Sequence, residues 1–325
     1  MIPKPPLATP RITVGLTCFN AEQTIERALR SALDQDWPDL EVVVVDDAST
    51  DGSWAVIQRC AARDSRVKAA RRAVNGGAAA TRNTILEMAS GEFVAFFDDD
   101  DESVPERVRV QFEALRAYEV AHGAVLLACY ASGARLYPNG YAMHAAAIGS
   151  RPEVPHGEMV ADYLLFNSRA KNMFFGAGTP TCALMARRAT FEAVGGFDSD
   201  LRRVEDVDFA VRLALAGGHF IGTVAPLYRQ FATVSADKTP GKNLDAELAL
   251  LDKHEAYLRQ KGRYGYARDW FRLRYYHFSG QRGGFLLTLL GLLLKHPVWG
   301  MGHLWRSAPG RWLHERKMRA PGGAQ

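Results

Sequence analysis

Apolar runs alternate with stretches of helical periodicity over the first third of the chain. Four runs have the composition of buried strands, with the weakest pattern in the third: ITVGLTC (12–18), EVVVVDD (41–47), VKAA (67–70) and EFVAFFD (92–98). Apolar residues at helical spacing occupy the segments between them: residues 21–33, 52–62, 78–89 and the segment after Pro105. This alternation predicts an α/β fold, with a parallel sheet and helices on both of its faces.

Polar residues follow three of these predicted strands. Asn20 comes after the first strand, Asp46 and Asp47 end the second, and four aspartates at 98–101 end the fourth. Ligands of open parallel sheets bind at the carboxyl ends of the strands. We therefore expect these side chains to gather at one edge of the sheet.

The pattern changes in the second half of the chain. Strands are predicted at residues 125–130 and 181–186, with a loop-rich segment between them, and a helix of modest length is predicted at 206–216. From Pro226 onward no strand pattern is convincing, and residues 244–258 and 270–278 have helical periodicity.

We divide the chain into three parts at these changes of pattern. Residues 1–10 are predicted to form a flexible, proline-stiffened arm, and residues 11–225 an α/β domain. Residues 226–325 are predicted to form a mostly helical C-terminal region with a basic, tryptophan-containing tail.

The charge of the chain is unevenly distributed. Of 325 residues, 47% are hydrophobic, which supports a sizeable core, and the formal net charge is +4. Five basic residues and one acidic residue lie from Met301 onward, so this tail carries the whole excess. A basic tail on a neutral body favours attraction to an anionic surface over general binding of nucleic acid.

Tryptophans accompany the basic residues of the tail. Trp299, Trp305 and Trp312 are half of the six in the protein. Tryptophan with lysine and arginine is typical of a membrane interface, so peripheral attachment to a membrane is one interpretation. A packed C-terminal helix with a loose tail is the other.

Cysteine usage and the apolar runs indicate a cytoplasmic protein. The four cysteines are widely spaced without a CxxC pair, so we expect reduced thiols. The start, MIPKPPLATP, has no apolar core of a signal peptide. The longest apolar run, residues 283–294, is shorter than the roughly 20 residues of a spanning helix, so a buried or interfacial helix is expected.

The aspartates at 98–101 need an explanation, because like charges this close repel one another. If strand geometry persists, Asp98 and Asp100 point to the same side, and their oxygens suit Mg²⁺ or Mn²⁺. The alternative is a solvated acidic turn that leads into a helix N-cap at Ser103.

Three other clusters are ambiguous when each is taken alone. Asp46 and Asp47 can accept hydrogen bonds from a base or a ribose, or they simply precede a turn. Phe19 can stack on a base or belong to the core. Arg82, after a glycine turn, favours a phosphate, although the motif by itself is weak.

A fourth cluster opens the helix predicted at 206–216. Glu205 and Asp206 stand just ahead of an amphipathic stretch, VEDVDFAVRLALAGG. A carboxylate in this place is often a helix cap, and it can also act as a general base on a substrate hydroxyl.

The order of these pieces is more specific than any one of them. Over about residues 12–218, the segments VGLTCFNAEQTIERAL, EVVVVDDASTDGS, NGGAAATRN, FVAFFDDDD and GGFDSDLRRVEDVDFAVRLALAGG together resemble the family 2 glycosyltransferases of GT-A fold. The resemblance implies a Rossmann-like domain that binds a nucleotide-diphospho-sugar. The last hundred residues match nothing so firmly.

The resemblance assigns the nucleotide to the first two strand ends. Thr17 and Phe19 fall at base-contacting positions, where phenylalanine replaces the more frequent tyrosine, and Asn20 follows them. Asp47 falls where an aspartate binds the base, with Asp46 beside it. Arg82 is added to the donor-binding residues.

The resemblance assigns the metal and the base to the two acidic clusters. The DxD motif falls on Asp98-Asp99-Asp100: Asp100 is the expected direct metal ligand, and Asp99 belongs to the donor site. Asp98 is expected to contact the ribose or donor sugar and is also a candidate metal residue. Asp99 and Asp101 have the same spacing, which leaves an alternative register. Glu205 and Asp206 match the ED pair, with Asp206 as catalytic base.

The implied enzyme is an inverting, Mn²⁺- or Mg²⁺-dependent glycosyltransferase of hexosyl or related groups. A UDP-sugar is the favoured donor, and a glycan or lipid-linked hydroxyl the acceptor, in polysaccharide, glycolipid or surface-glycan synthesis. The expected location is the cytoplasm, with peripheral attachment to the inner face of the cell membrane as an open interpretation and no nucleic-acid partner. The alternatives are a catalytically silent sugar-nucleotide-binding module and a nucleotidyltransferase.

Overall fold

The structure, a computed structural model, describes residues 9–123, 126–231 and 239–302. The strands in these ranges are β1 (Ile12–Cys18), β2 (Leu40–Asp46), β3 (Val67–Arg71), β4 (Phe93–Asp98), β5 (Glu102–Ser103), β6 (Leu127–Leu136), β7 (Ala142–Ala145), β8 (Leu184–Arg187) and β9 (His219–Phe231). Most of the predicted N-terminal arm and most of the basic tail lie outside the described residues.

Helices alternate with the first strands and then dominate the C-terminal region. They are α1 (Ile25–Leu33), α2 (Ser53–Arg63), α3 (Gly77–Met88), α4 (Arg107–His122), α5 (Glu158–Phe166), α6 (Arg188–Ala193), α7 (Glu205–Leu215), α8 (Pro240–Lys253), α9 (Glu255–Gln260), α10 (Tyr264–Phe278) and α11 (Arg282–Lys295). No helix in the described ranges combines the length and the apolarity needed to cross a bilayer.

All strands belong to one mixed sheet, in the order β3–β2–β1–β4–β8–β6–β9–β5, with β7 paired to β6. The first four strands of the chain are mutually parallel, as predicted. Beyond these four strands the sheet is mixed, because β8 runs antiparallel between β4 and β6.

The strand register brings the polar strand ends level with one another. Thr17 of β1 lies opposite Asp98 of β4, and Cys18 lies opposite Asp46 of β2. The turns that follow β1, β2 and β4 therefore open at the same edge of the sheet, as predicted from the sequence.

The sheet is buried on both faces, which explains the continuous apolar runs. Val42 and Val44 of β2 face one core, where α1, α2 and α4 pack, and Val43 and Val45 face the other. The second core continues into the C-terminal region, whose buried members include Leu250, Leu258, Tyr266 and Phe271.

A close contact between β1 and α3 depends on Gly15. A Cβ atom at this position would lie 2.5 Å from Cγ2 of Ile85, so only glycine allows α3 to lie this near the strand. The approach fixes the height of α3 over the sheet, and with it the position of Arg82.

Strand β9 corrects the prediction that no strand follows Pro226. Its first part pairs with residues 127–130 of β6, and its second part continues from Pro226 to Phe231 after register shifts. Exposed residues at 224–226 interrupt the alternation of the strand, so the sequence pattern is weak. The division of the chain at residue 225 remains a prediction.

The segment between β6 and β8 also contains more structure than was predicted. Residues 131–180 contain the last part of β6 and the whole of β7 and α5. The run at 181–186 divides into a 3₁₀ turn and the first residues of β8. The short, half-exposed β7 and the glycines around α5 explain why the pattern suggested loops.

A buried carboxylate joins three elements at the opposite edge of the sheet. Glu41 of β2 accepts hydrogen bonds from the hydroxyl of Thr13 and from the backbone and side chain of Ser90, and it pairs with Lys68 at 2.7 Å. The hydrogen bonds outweigh the opposing effect of burial and lower its pKa to about 2.

We predict that Glu41→Gln lowers the free energy of unfolding by about 3 kcal/mol at neutral pH, because a charged acceptor of several donors is lost. The pKa of Glu41 is about 2 in the folded protein and about 4.3 in the unfolded protein. The ionised carboxylate therefore stabilises the fold above about pH 4.3, and this stabilisation is lost as the pH falls toward about 2. The difference between wild type and variant, measured by urea unfolding, should therefore shrink between these values. Glu153→Gln, at an exposed site, is the control. A difference that is constant with pH would contradict the assignment.

Candidate active site

A cleft of about 830 Å³ opens at the carboxyl ends of β1, β2 and β4. Thr17, Phe19, Asp47, Arg82, Asp98, Asp99 and Asp100 line it, together with residues 200–203 and α8. Asn20, Asp46, Glu205 and Asp206 are not among the lining residues.

Asp47 joins the end of β2 to the start of α3. Its two oxygens accept hydrogen bonds from the backbone N–H groups of Gly76 and Gly77, at 2.8 and 2.7 Å, and Arg72 lies 3.1 Å from Oδ1. Gly77 has a left-handed φ of +81°, which glycine adopts without strain. This carboxylate therefore shapes the wall of the cleft even without a ligand.

Asp46 and Asn20 support the turns behind that wall. Asp46 is fully buried, pairs with Arg71 at 3.1 Å, and accepts a hydrogen bond from the Ser49 N–H. The side-chain oxygen of Asn20 accepts a hydrogen bond from the Thr50 N–H at 2.8 Å. Both side chains join turns to each other, a role that the sequence does not reveal.

Phe19 and Asp99 connect the first and fourth strand ends. Phe19 is 43% exposed and lines the cleft, where its ring is available to a planar ligand. Its backbone N–H donates to Oδ2 of Asp99 at 2.9 Å. Asp99 therefore braces the turn after β1.

The aspartates at 98–101 are crowded in a position where Asp101 is buried and the other three are partly buried. Burial, together with the charges of Asp98 and Asp100, raises the pKa of Asp99 to about 7 and that of Asp101 to about 8. Burial also raises the pKa of Asp98, although the positive charge of Arg82 acts in the opposite direction. The backbone is held in place by Arg27, which donates to the Asp100 carbonyl at 2.8 Å.

Asp101 indicates that this cluster fits a cation. It is 5% exposed, and neither of its oxygens meets a conventional N–H or O–H donor among the described residues. One ligand atom each from Asp98, Asp101 and Cys182 lies within 4.8 Å of the others. The set differs from the predicted pair, Asp98 and Asp100, and a neutral thiol is a poor ligand for Mg²⁺ or Mn²⁺. The assignment of Asp98 and Asp100 as the metal ligands stays a prediction.

A fully buried arginine supports the cluster from the protein side. Arg107 donates to the carbonyl oxygens of Phe96 and Cys182 at 3.0 and 2.7 Å, and its guanidinium stacks 4.2 Å from the Phe97 ring centroid. It joins β4 to the turn before β8 and supplies positive charge near Asp101 and Asp98. Arg107 was not among the predicted site residues, although it lies only six positions after Asp101.

Arg82 joins the two acidic clusters that the sequence analysis treated separately. Its Nη1 lies 2.6 Å from Oε1 of Glu205, and its Nη2 lies 3.7 Å from Oδ1 of Asp98. The guanidinium is buried and lies 5.5 Å from the Phe197 ring centroid. Its charge is therefore largely matched by carboxylates, whereas a phosphate contact was expected.

Asp206 lies in the first turn of α7, next to Glu205. Val204, just before the helix, has a left-handed φ of +58°. Burial and the charge of Glu205 raise the pKa of Asp206 to about 6, against the opposing effect of Arg82. A carboxylate with a pKa in this range is well matched to accepting a proton near neutral pH.

Asp208 anchors the helix that carries Asp206. It is fully buried and contacts Arg212 at 2.8 Å, Lys253 at 2.9 Å and His254 at 2.9 Å. These partners outweigh burial and lower its pKa to about 2. Since Lys253 and His254 end α8, the anchor also joins α7 to the C-terminal region.

Two parts of the cleft wall were not predicted. Arg202 donates to the side chain of Asn75 at 2.8 Å, which bridges the turn before α3 to the loop before α7. Helix α8 contributes Lys242, Asp245, Ala246 and Ala249 to the wall. No motif marks these residues, because their proximity to the cleft arises only from long-range packing.

Comparison with known proteins identifies the family. The model of glycosyl transferase family 2 matches residues 13–192, more than half of the chain. The chain belongs to glycosyl transferase family 2. The enzyme is thus a glycosyltransferase, as the sequence motifs predicted.

Two solved structures with low identity show the GT-A fold. TarS of S. aureus, in complex with UDP-GlcNAc, has a TM-score of 0.58 at 19% identity, over 87% of this chain and 80% of that one. The mannosyltransferase PcManGT of Pyrobaculum calidifontis, in complex with GDP-Man and Mn²⁺, has a TM-score of 0.55 at 20% identity, over 93% and 81%.

Curated relatives are matched over part of their length. The Escherichia coli protein WfaP, a UDP-Glc:α-D-GlcNAc-diphosphoundecaprenol β-1,3-glucosyltransferase, is 28% identical over 46% of this chain and 55% of its own length. Other similar glycosyltransferases are covered over as little as 30% and as much as 72% of their lengths.

We predict strong energetic coupling between Arg82 and Glu205. Arg82→Met leaves a buried carboxylate without its partner and should lower the free energy of unfolding by about 3–5 kcal/mol. In a double-mutant cycle with Glu205→Gln, the two changes together should cost at least about 1 kcal/mol less than their sum.

The exposed pair Arg188 and Glu192, 3.0 Å apart, provides the control cycle, with coupling of about 0.3–0.5 kcal/mol. Urea unfolding of all variants gives both values. Equal coupling in the two cycles would show that Arg82 does not hold the acidic clusters together.

Proposed function

We propose that this enzyme is an inverting, metal-dependent glycosyltransferase that uses a nucleotide-diphosphate sugar, with a UDP-sugar favoured. The observation that carries the proposal is the contact of Arg82 with both Asp98 and Glu205, which puts the aspartates of β4 and the acidic pair of α7 in one electrostatic unit. The complexes of TarS with UDP-GlcNAc and of PcManGT with GDP-Man and Mn²⁺ support the choice of donor and metal.

The donor is proposed to lie along the cleft from the β1 turn to the aspartates. Phe19 offers an exposed ring for stacking on the base, and Thr17 lies beside it on the same wall. Asp47, already held by the N–H groups before α3, retains lone pairs for a base N–H. Asp98 and Asp100 would hold Mn²⁺ or Mg²⁺, which when bound offsets the charge of the departing diphosphate.

Asp206 is proposed to be the general base. It accepts the proton of the acceptor hydroxyl as that oxygen attacks the anomeric carbon from the face opposite the diphosphate. A single displacement of this kind inverts the configuration and needs no nucleophile from the protein. Glu205 pairs with Arg82 and lies next to Asp206. The negative charge of Glu205 raises the pKa of Asp206.

The acceptor is proposed to be a glycan or lipid-linked hydroxyl in polysaccharide, glycolipid or surface-glycan synthesis. WfaP, whose name specifies a diphosphoundecaprenol-linked acceptor, supports this class. A nucleotidyltransferase is the alternative enzyme, and it differs in releasing pyrophosphate where a glycosyltransferase releases a nucleoside diphosphate.

We predict that Asp206→Asn lowers kcat about 10²–10⁴-fold and leaves donor binding within about twofold of wild type, because only proton acceptance is lost. In the wild type, kcat/KM should fall about tenfold per pH unit below about pH 6, where Asp206 becomes protonated. Release of the nucleoside diphosphate gives the rate, and NMR of the product gives the anomeric configuration. Asp34→Asn, at the exposed end of α1, is the control. Wild-type turnover in Asp206→Asn would rule out the proposed base.

We predict that nucleotide sugars stabilise the protein only when Mn²⁺ or Mg²⁺ is present, because Asp98 and Asp100 would share the ion with the diphosphate. A donor at a hundred times its Kd adds about 2.7 kcal/mol to the apparent free energy of unfolding. A thermal-shift series of UDP-, GDP- and other nucleotide sugars, each with Mn²⁺ or with a chelator, identifies the donor.

Asp100→Ala should remove this stabilisation, and Asp34→Ala should retain it. Equal shifts with metal and with chelator would contradict metal dependence. A donor that binds but is never hydrolysed or transferred would identify a silent binding module.

A further inference from the structure

Helix α11 presents leucines to solvent on one side. Leu286, Leu287, Leu290 and Leu294 are between 56% and 75% exposed, while Leu292 on the opposite side is buried against the body of the protein. No charged residue interrupts the helix between Arg282 and Lys295. A helix of this composition would normally be buried within a core.

The exposed side extends beyond both ends of α11. Phe278, at the end of α10, precedes it, and Val298 and Met301 follow it, all more than half exposed. Within α11, Leu287, Leu290 and Leu294 recur at spacings of three and four residues, so their side chains lie on one face. Val298 and Met301 follow after the helix ends at Lys295. We call these seven residues the leucine stripe: Phe278, Leu286, Leu287, Leu290, Leu294, Val298 and Met301.

The stripe is a concentrated feature of the described surface. The other large apolar side chains that are exposed there, Phe19, Val74, Val120, Leu215 and Val224, are dispersed over several elements. Single exposed apolar residues need no explanation, whereas a continuous apolar patch on a soluble protein marks an interaction surface.

We infer that the leucine stripe lies on the surface of an anionic lipid bilayer. Helix α11 has 14 residues and is about 21 Å long, too short for the roughly 30 Å hydrocarbon core, so it would lie in the plane of the interface. The described chain stops at residue 302, one residue beyond the stripe. The remaining 23 residues carry Trp305, Trp312 and five basic side chains against one acidic side chain.

The charge of that following segment decides between a bilayer and a second copy of the chain. Basic residues and tryptophans next to an interfacial apolar face are attracted by anionic headgroups. Pairing of two stripes would bring two segments of net charge +4 together, which opposes self-association. The charge is complementary to the inner leaflet of a cell membrane, whose lipids are anionic.

Attachment of this kind does not depend on the donor chemistry proposed above. Binding to vesicles can be measured without nucleotide, metal or acceptor. A failure to bind vesicles therefore leaves the glycosyltransferase mechanism untouched, and a failure of the mechanism leaves the attachment untouched.

Co-flotation of the full chain with vesicles tests the inference. Wild type should float with vesicles that contain phosphatidylglycerol, and binding should weaken with added NaCl and on neutral phosphatidylcholine. Leu287→Glu/Leu294→Glu should lower the partition coefficient about tenfold or more, because two charges would enter the apolar layer. Both leucines are about three-quarters exposed, so folding should be unaffected, and a thermal melt checks this.

Val120→Glu/Val224→Glu is the matched control, since both valines are similarly exposed on other elements. It should float like wild type. Equal flotation of the leucine variant and wild type would overturn the inference. Absence of flotation, together with a dimer that Leu287→Glu/Leu294→Glu dissociates in sedimentation equilibrium, would assign the stripe to a second copy instead.

Discussion

The site depends on an imbalance of charge among buried and partly buried groups. Asp98, Asp99, Asp100, Asp101, Glu205 and Asp206 crowd together, while two buried guanidinium groups, Arg82 and Arg107, supply positive charge from the protein. Burial and mutual repulsion favour the neutral forms, so the pKa values of Asp98, Asp99, Asp101 and Asp206 rise. Protons or a bound cation can correct the imbalance, and a cation does so without removing the carboxylates' ability to bind.

The fold keeps these carboxylates close together by fixing the backbone that carries them. It does not give each carboxylate a positive partner of its own. The register of β1 on β4 sets Thr17 opposite Asp98, and the Phe19 N–H holds Asp99. On the other side, Asp208 is bound by three cationic or potentially cationic side chains, so α7 cannot move Asp206 away from the cluster. Carboxylates that repel one another therefore remain together because the elements that carry them are anchored elsewhere.

The elements that could be predicted from the sequence are those whose burial is uniform along their length. Strand β1 has the predicted bounds, because both faces of the sheet are buried and the apolar run is continuous. Strand β9 was missed where exposed residues interrupt its alternation at Pro226. The pairing of Arg82 with Glu205 joins positions 123 residues apart, and the α8 wall is still further along the chain. Such contacts leave no local periodicity, so only the family resemblance gathered the acidic clusters into one site.

The C-terminal helices connect the cleft to the leucine stripe. Helix α8 lines the cleft with Lys242 and Asp245, packs against α10, and α10 packs against α11. The last turn of α8 also supplies Lys253 to Asp208 of α7. A bilayer that fixes α11 would, through this packing, also fix the orientation of the cleft. An acceptor anchored in the same bilayer would then need only two-dimensional diffusion to reach the proposed base, Asp206, which would be the physical advantage of an apolar face on these helices.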